Sequence, residues 1–110
     1  MLRTPVLSIV PMVEQFESRL AEYVGCKYAI AVNSGTSRLH TCVIASGIEA
    51  GDRVITSPFS FVASANCILY ERATPVFVDI DSDTLNIDPQ KADDKVAEGW
   101  DSFNHLNLVF

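Results

Sequence analysis

Four small residues in a row, Ser34, Gly35, Thr36 and Ser37, form the part of this sequence best suited to chemistry. They follow an apolar run and precede a helical pattern, so they are expected at the first turn of a helix. Unpaired backbone N–H groups and the helix dipole attract an anion such as phosphate at that position. The hydroxyl groups can donate further hydrogen bonds, and Gly35 permits close approach to the backbone. Turns of this composition also occur with nothing bound, so the pattern alone leaves both interpretations open.

Two elements must hold this turn in place. Residues Ala29–Asn33 are apolar at nearly every position, which predicts a strand buried on both faces, as in a parallel sheet. Helical spacing predicts a helix over Ser37–Ser46, and Gly47 is expected to end it. The side chains of this helix that are expected to point inward are Leu39, Cys42 and Val43.

The rest of the chain alternates between helical and strand patterns. The predicted elements are a helix over Pro11–Val24 closed by Gly25, a strand over Arg53–Thr56, a helix over Phe61–Glu71 capped by Ser60, a strand over Val76–Ile80, and a short helix opened by Pro89 with Asp88 as its N-cap. The inward face of the helix over Phe61–Glu71 is expected to comprise Val62, Ala65, Asn66 and Leu69. This alternation predicts an α/β sheet with right-handed crossovers.

Three further blocks follow the hydroxyl-rich turn: Gly51–Asn66, Thr74–Asp81 and Thr84–Pro89. In this order and spacing, the four blocks resemble the pyridoxal-phosphate-dependent sugar aminotransferases of the DegT/StrS type. The resemblance begins near Pro11 and fades after Lys91, and it covers only the early part of a family member, which is several times longer. We therefore divide the chain into an irregular N-terminal end (1–10), the N-terminal part of the aminotransferase large domain (11–92) and a divergent tail (93–110). A truncated or frameshifted gene is a hypothesis for both ends.

The resemblance implies a fold and a half-built cofactor site. The fold would be α/β, an incomplete three-layer sheet of the fold-type-I aminotransferase large domain. The phosphate of pyridoxal phosphate would lie on Ser34, Gly35, Thr36 and Ser37, and Phe61 would lie against the pyridine ring. Without the resemblance, Phe61 is better interpreted as a core residue at the start of a helix. Any binding by this chain alone is expected to be weak or absent.

No catalytic residue is assigned, because the family's covalent-attachment lysine and ring-nitrogen carboxylate match nothing in this sequence. The lysines present are Lys27, Lys91 and Lys95. The resemblance thus implies the N-terminal part of an aminotransferase acting on a nucleotide-linked keto-sugar, inactive alone. It also implies a cofactor and a sugar nucleotide as partners of the full-length enzyme. We expect the incomplete sheet to leave edges exposed, and hence a homo-oligomer or aggregate.

Two alternatives stay open and two others fit poorly. A sister sugar dehydratase on the same scaffold, or a non-catalytic module that binds a phosphate or a protein, would share these blocks. A dinucleotide-binding Rossmann domain fits poorly, since Ser-Gly-Thr-Ser lacks the G-x-G-x-x-G spacing. A calcium loop starting at Asp79 would need Gly and Glu at its sixth and twelfth positions, where Thr84 and Gln90 stand. Turn-forming and capping aspartates explain that acidic run better.

Composition excludes several classes of function. Among 110 residues, 14 are acidic and 8 are basic, and the net charge of −6 argues against nucleic acid or an anionic membrane as a partner. The sequence shows no apolar run near the ~20 residues of a spanning helix and no signal-peptide pattern, so we expect a cytoplasmic protein. Cys26, Cys42 and Cys67 are expected to be reduced and mostly buried. His40 and His105 lack partners at ligand spacing, so no metal site is predicted.

Overall fold

The computed structural model describes residues 11–98 of the chain. The chain divides after Asn33 into two compact units. In the first unit, α1 spans Pro11–Val24, as predicted. Pro11 suits the first helical turn, where its missing N–H is not needed, and Gly25 ends the helix with a φ of +72°.

The strand predicted over Ala29–Asn33 is wrong, because residues 28–32 have no strand conformation here. A β-branched run becomes a strand only when a neighbouring strand completes its hydrogen-bond ladder, and no described residue pairs with this run. The backbone N–H of Ala31 donates instead to Glu17 Oε1, at 2.7 Å. Ile30 and Val32 are 75% and 42% exposed. The composition of this run is that of a strand, but composition alone does not supply the neighbouring strand that a ladder needs.

The second unit contains the described sheet. Its elements are α2 (Gly35–Ala45), β1 (Arg53–Thr56), α3 (Ala63–Tyr70), β2 (Thr74–Phe77) and α4 (Pro89–Ala97). The two strands pair in parallel, from Arg53 opposite Thr74 to Thr56 opposite Phe77. The prediction for β1 is confirmed, whereas β2 begins two residues earlier than predicted and ends at Phe77.

Successive residues of β1 show that helices cover both faces of this sheet. Val54 packs in a buried cluster with residues of α2 and α3, whereas Ile55 packs on the other side with Val78 and Ala92. Side chains alternate between the faces of a strand, so α2 and α3 form one layer and α4 forms another. The predicted three-layer α/β arrangement is therefore present with two strands among residues 11–98.

Several predicted side-chain orientations are wrong. The buried residues of α3 are Ala63, Ser64, Cys67 and Ile68, rather than the predicted set, of which Val62 and Leu69 are exposed and Ala65 and Asn66 only partly buried. The helix also starts two residues later than predicted, and the side that packs against Val43 and Val54 carries Cys67 and Ile68. Cys26 and Cys42 are exposed, so the thiols are not mostly buried, although all three are free. Burial raises the pKa of the Cys67 thiol, which keeps it protonated.

The acidic run after β2 forms a turn. One carboxylate oxygen of Asp81 accepts hydrogen bonds from the N–H of Asp83, the N–H of Thr84 and the Thr84 hydroxyl, at 3.0, 2.7 and 3.0 Å. Ile80 and Ile87 then form an isolated antiparallel bridge. The turn-forming interpretation of these aspartates is thus confirmed, and no group of three metal-ligating side chains occurs among residues 11–98.

This turn should weaken in acid. The Thr84 backbone N–H first, and then the Thr84 hydroxyl, lower the pKa of Asp81. A carboxyl group with a lowered folded-state pKa stabilises the fold above its unfolded pKa of about 3.9, and this stabilisation is lost as the pH falls. In Asp81→Asn the amide oxygen still accepts but no longer titrates. Urea unfolding at pH 7 and pH 3 should show a smaller acid loss for Asp81→Asn than for the wild type; equal losses would contradict the assignment.

The helix predicted at Pro89 is confirmed, with Asp88 as its N-cap. The Asp88 carboxylate accepts from the N–H groups of Gln90 and Lys91. Because α4 runs to Ala97, the division proposed at residues 92 and 93 lies inside a helix and stays a prediction. The interpretations of residues 1–10, of His105 and of the tail beyond residue 98 lie outside the described residues. None of the helices within residues 11–98 is long and apolar enough to cross a bilayer.

Candidate phosphate and ring-face site

The predicted phosphate turn is the start of α2. Ser34 is the N-cap, in extended conformation, and its Oγ accepts a hydrogen bond from the Ser37 N–H at 3.1 Å. The Ser34 carbonyl accepts from the Arg38 N–H at 3.1 Å, which is the first bond of the helix ladder. Helix geometry leaves the N–H groups of Gly35 and Thr36 without a carbonyl partner in the helix. These two donors lie on consecutive residues at the positive end of the α2 dipole.

The space around this turn suits an anion. Gly35 is exposed, and a Cβ built on it would meet no atom of this chain within 4 Å. Its φ is not in the left-handed region, so glycine is not needed here for backbone conformation. A phosphate group would occupy the open space beside Gly35. The hydroxyl groups of Ser34 and Ser37 are 3.0 Å apart, so one donates a hydrogen bond to the other.

Phe61 lies in the loop between β1 and α3, and 75% of its surface is exposed. It is therefore not a core residue, which was its interpretation without the resemblance. The predicted N-cap role of Ser60 is wrong, because α3 begins at Ala63 and has no side-chain cap. The Ser60 hydroxyl instead lies 2.8 Å from the Ser64 hydroxyl. The Ser57 hydroxyl accepts from the Phe59 N–H, which fixes the start of this loop.

A cavity of about 240 Å³ opens beside this loop. It is lined by the loop residues Ser57, Pro58, Ser60 and Phe61, by Val62, Ser64 and Ala65 at the start of α3, and by Phe77 at the end of β2. Its wall is mainly apolar with three hydroxyl groups, which is typical of a small-molecule site. The 34–37 turn is not part of this lining, so the structure places Phe61 in a cavity without joining it to the phosphate turn.

A buried hydroxyl group, that of Thr56, lies at the carboxyl end of β1, where the loop that lines this cavity begins. Thr56 ends β1, is fully buried, and its Oγ1 has no hydrogen-bond partner among the described residues. Leaving a buried polar group unpaired costs about 1–3 kcal/mol. In α/β sheets, ligands bind outside the carboxyl ends of the strands, and Thr56 stands at such an end.

A histidine contact that sequence reasoning missed joins α2 to the end of α3. His40 Nε2 donates a hydrogen bond to Glu71 Oε1 at 2.5 Å, and the His40 ring meets the Tyr70 ring edge-on at 5.1 Å. His40 and Glu71 stand 31 residues apart, so no periodicity or motif connects them. The sequence offered His40 no partner at metal-ligand spacing, and it gave no signal for this contact either.

A parallel strand–helix–strand unit, with helices on both faces and polar groups at its carboxyl edge, defines part of an α/β protein of the layered type. The chain belongs to the DegT/DnrJ/EryC1/StrS aminotransferase family, whose model matches residues 1–100. The match starts earlier and ends later than the resemblance between Pro11 and Lys91.

Individual relatives agree. The spore coat polysaccharide biosynthesis protein SpsC of Bacillus subtilis is 53% identical over 91 residues, which are 83% of this chain and 23% of SpsC. GDP-perosamine synthase of Caulobacter vibrioides is 44% identical over 88 residues, which are 80% of this chain and 24% of that protein. The crystal structure of ntda from Bacillus subtilis with bound cofactor PMP superposes with a TM-score of 0.83 at 32% identity, covering 99% of this chain and 24% of that one. The chain spans about a quarter of the length of these relatives.

Proposed function

We propose that this chain supplies the N-terminal part of the large domain of a pyridoxal-phosphate-dependent aminotransferase that acts on a nucleotide-linked keto-sugar in the cytoplasm. Family membership supports the reaction class. The names of two relatives, GDP-perosamine synthase and UDP-2-acetamido-2-deoxy-3-oxo-D-glucuronate aminotransferase, support a sugar nucleotide as substrate. Three free thiols are compatible with a reducing compartment. The 110-residue chain is inactive alone in this proposal.

The observation that carries the proposal is the open first turn of α2. The N–H groups of Gly35 and Thr36 would donate to the cofactor phosphate, with the hydroxyl groups of Ser34, Thr36 and Ser37 around it. Phe61 would cover one face of the pyridine ring and exclude water from it, since a flat apolar side chain stacks on an aromatic ring. The cofactor, when bound, supplies an electron sink for the reaction.

The proposal also covers the association of this chain with further copies of itself. Each strand of the β1–β2 sheet has one neighbour among the described residues, so each leaves an edge without a ladder. Unpaired edges accept further strands. We propose that isolated chains associate through these edges into homo-oligomers or aggregates.

Binding by the isolated chain should be weak. Cofactor contacts from the remainder of a full-length relative lie outside this sequence, and each lost charge-assisted hydrogen bond costs about 1.5–3 kcal/mol. Isothermal titration with pyridoxal phosphate should give a Kd no tighter than about 1 mM, or roughly 4 kcal/mol. Gly35→Val should abolish this binding, because the added side chain would fill the open space that the phosphate needs.

A matched control exists in the same helix. Ala45→Val places the same β-branched side chain at the exposed C-terminal end of α2 and should leave the Kd unchanged. Binding that is tight, or that survives Gly35→Val, would overturn the assignment of the phosphate turn.

A further inference from the structure

Leu39 and His40 join the half of α2 that carries the phosphate turn to the rest of its unit. The fully buried residue of α2 is Val43, which lies in the C-terminal half of the helix. In the N-terminal half, Leu39 is partly buried against the core. The next residue, His40, makes the contact with Glu71. Leu39 and this polar side-chain pair therefore both help to fix the start of α2.

The partner side of this contact is firmly placed. Glu71 is the C-cap of α3, and its backbone N–H donates to the carbonyl of Ile68, a fully buried residue. The Glu71 carboxylate and the Tyr70 ring together hold the His40 imidazole from two directions, by a hydrogen bond and by an edge-on ring contact. About a third or less of each of the two side chains, His40 and Glu71, is exposed. This contact therefore resists water better than a fully exposed pair would.

We propose that His40 and Glu71 are a positioning pair for the cofactor phosphate, an inference that rests on the function proposed for the turn. His40 lies four residues, or about 6 Å along the axis, from Thr36. Tying His40 to the end of α3 fixes the tilt and rotation of the first turn of α2. The direction of the Gly35 and Thr36 N–H groups is then set before an anion arrives.

Removing the Glu71 carboxylate distinguishes a positioning effect on phosphate binding from a purely electrostatic one. The chain carries a net charge of −6, so the loss of one negative charge should strengthen phosphate binding if charge alone mattered. Loss of a positioning contact should weaken it. Glu71→Ala therefore gives opposite results under the two explanations, while the backbone bonds that cap α3 stay in place.

The experiment is a titration of the 110-residue chain with inorganic phosphate, followed by NMR at the amide signals of Gly35 and Thr36. His40→Phe keeps a ring against Tyr70 but removes the donor, and Glu71→Ala removes the acceptor. Each should raise the Kd about twofold to tenfold, which corresponds to one hydrogen bond. The double variant should be no weaker than either single variant, because both remove the same contact. Glu71→Gln, which keeps an acceptor oxygen, should bind nearly as well as the wild type.

Glu49→Ala is the charge control, because Glu49 is an exposed carboxylate whose side chain makes no hydrogen bond or ion pair in the described structure. It should leave the Kd unchanged or lower it slightly. A lower melting temperature with an unchanged Kd in His40→Phe and Glu71→Ala would show a merely structural role and overturn the positioning role alone. A wild-type chain without phosphate-dependent shifts at Gly35 and Thr36 would overturn the proposed phosphate turn, and the positioning role with it.

Discussion

The 110-residue polypeptide, mixed with pyridoxal phosphate, glutamate and a keto-sugar nucleotide, should form no amino sugar above the background of the free cofactor. Transamination needs a lysine that attaches the cofactor and moves protons, and a carboxylate that pairs with the ring nitrogen. Under the proposed function, residues 34–37 and Phe61 contact the phosphate and the ring face and supply no reacting group. Positioning without a reacting group gives no turnover. Product detection by mass spectrometry, with a full-length relative as the positive control, measures this directly.

The three lysines support this expectation by their surroundings. Lys91 Nζ lies 3.6 Å from Asp79 and 3.7 Å from Asp88, and Lys95 Nζ lies 2.7 Å from Glu98. Lys27 Nζ lies 5.0 Å from the centre of the Tyr28 ring in the first unit. Lys91 and Lys95 are thus held in surface contacts with carboxylates, and none of the three lysines lines the cavity beside Phe61.

Two variations sharpen the catalytic test. Under the proposed function, adding the C-terminal part of a relative as a separate chain should restore some activity, because that part would supply the lysine and the carboxylate. Turnover by the 110-residue chain alone that disappears in Lys27→Ala, Lys91→Ala or Lys95→Ala would show that the catalytic lysine lies within this sequence after all.

The largest change in stability is expected for Ile68→Ala. Ile68 is fully buried in α3 and packs in the cluster shared with Val43, Val54 and Cys67. Truncating a buried isoleucine removes apolar burial and leaves a cavity, at a cost of about 2–5 kcal/mol. Small domains have only about 5–15 kcal/mol of total stability, so much of the fold should be lost. Urea unfolding followed by circular dichroism measures the difference.

The neighbouring residue supplies the control. Leu69 is 52% exposed, and Leu69→Ala should cost less than about 1 kcal/mol, as surface substitutions usually do. We therefore expect Ile68→Ala to lower the stability more than Leu69→Ala does. The sequence-based prediction, in which Leu69 pointed inward, implies the opposite order. Similar losses for the two variants would contradict the observed face of α3.

Elements with local signals could be predicted from the sequence. The ends of α1, the bounds of β1 and the capped start of α4 depend on residues within the element or next to it, such as Gly25 and Asp88. The helix start near residues 34–37 was predictable for the same reason, since the Ser34 hydroxyl accepts a hydrogen bond from the Ser37 N–H, three residues away. Phe61 entered the site only through the family resemblance.

Features that depend on distant partners could not be predicted. The run Ala29–Asn33 has strand composition, but a strand also needs a neighbour, and composition says nothing about one. The buried face of α3 depends on its packing against residues such as Val43 and Val54, which are distant in sequence, and the predicted cap at Ser60 is not formed. His40 and Glu71 meet only because α2 and α3 pack together, which no short motif encodes.

The parallel register of β1 and β2 has a consequence for how the chain reaches its fold. Arg53 pairs with Thr74, so the ladder joins residues only 21 positions apart, with α3 between them. Contacts between residues close in sequence form quickly, because little chain entropy is lost in closing the intervening loop. The strand–helix–strand segment can therefore assemble as soon as residues near 80 have left the ribosome, before α4 is complete. It would then serve as a nucleus on which later segments of a growing polypeptide condense.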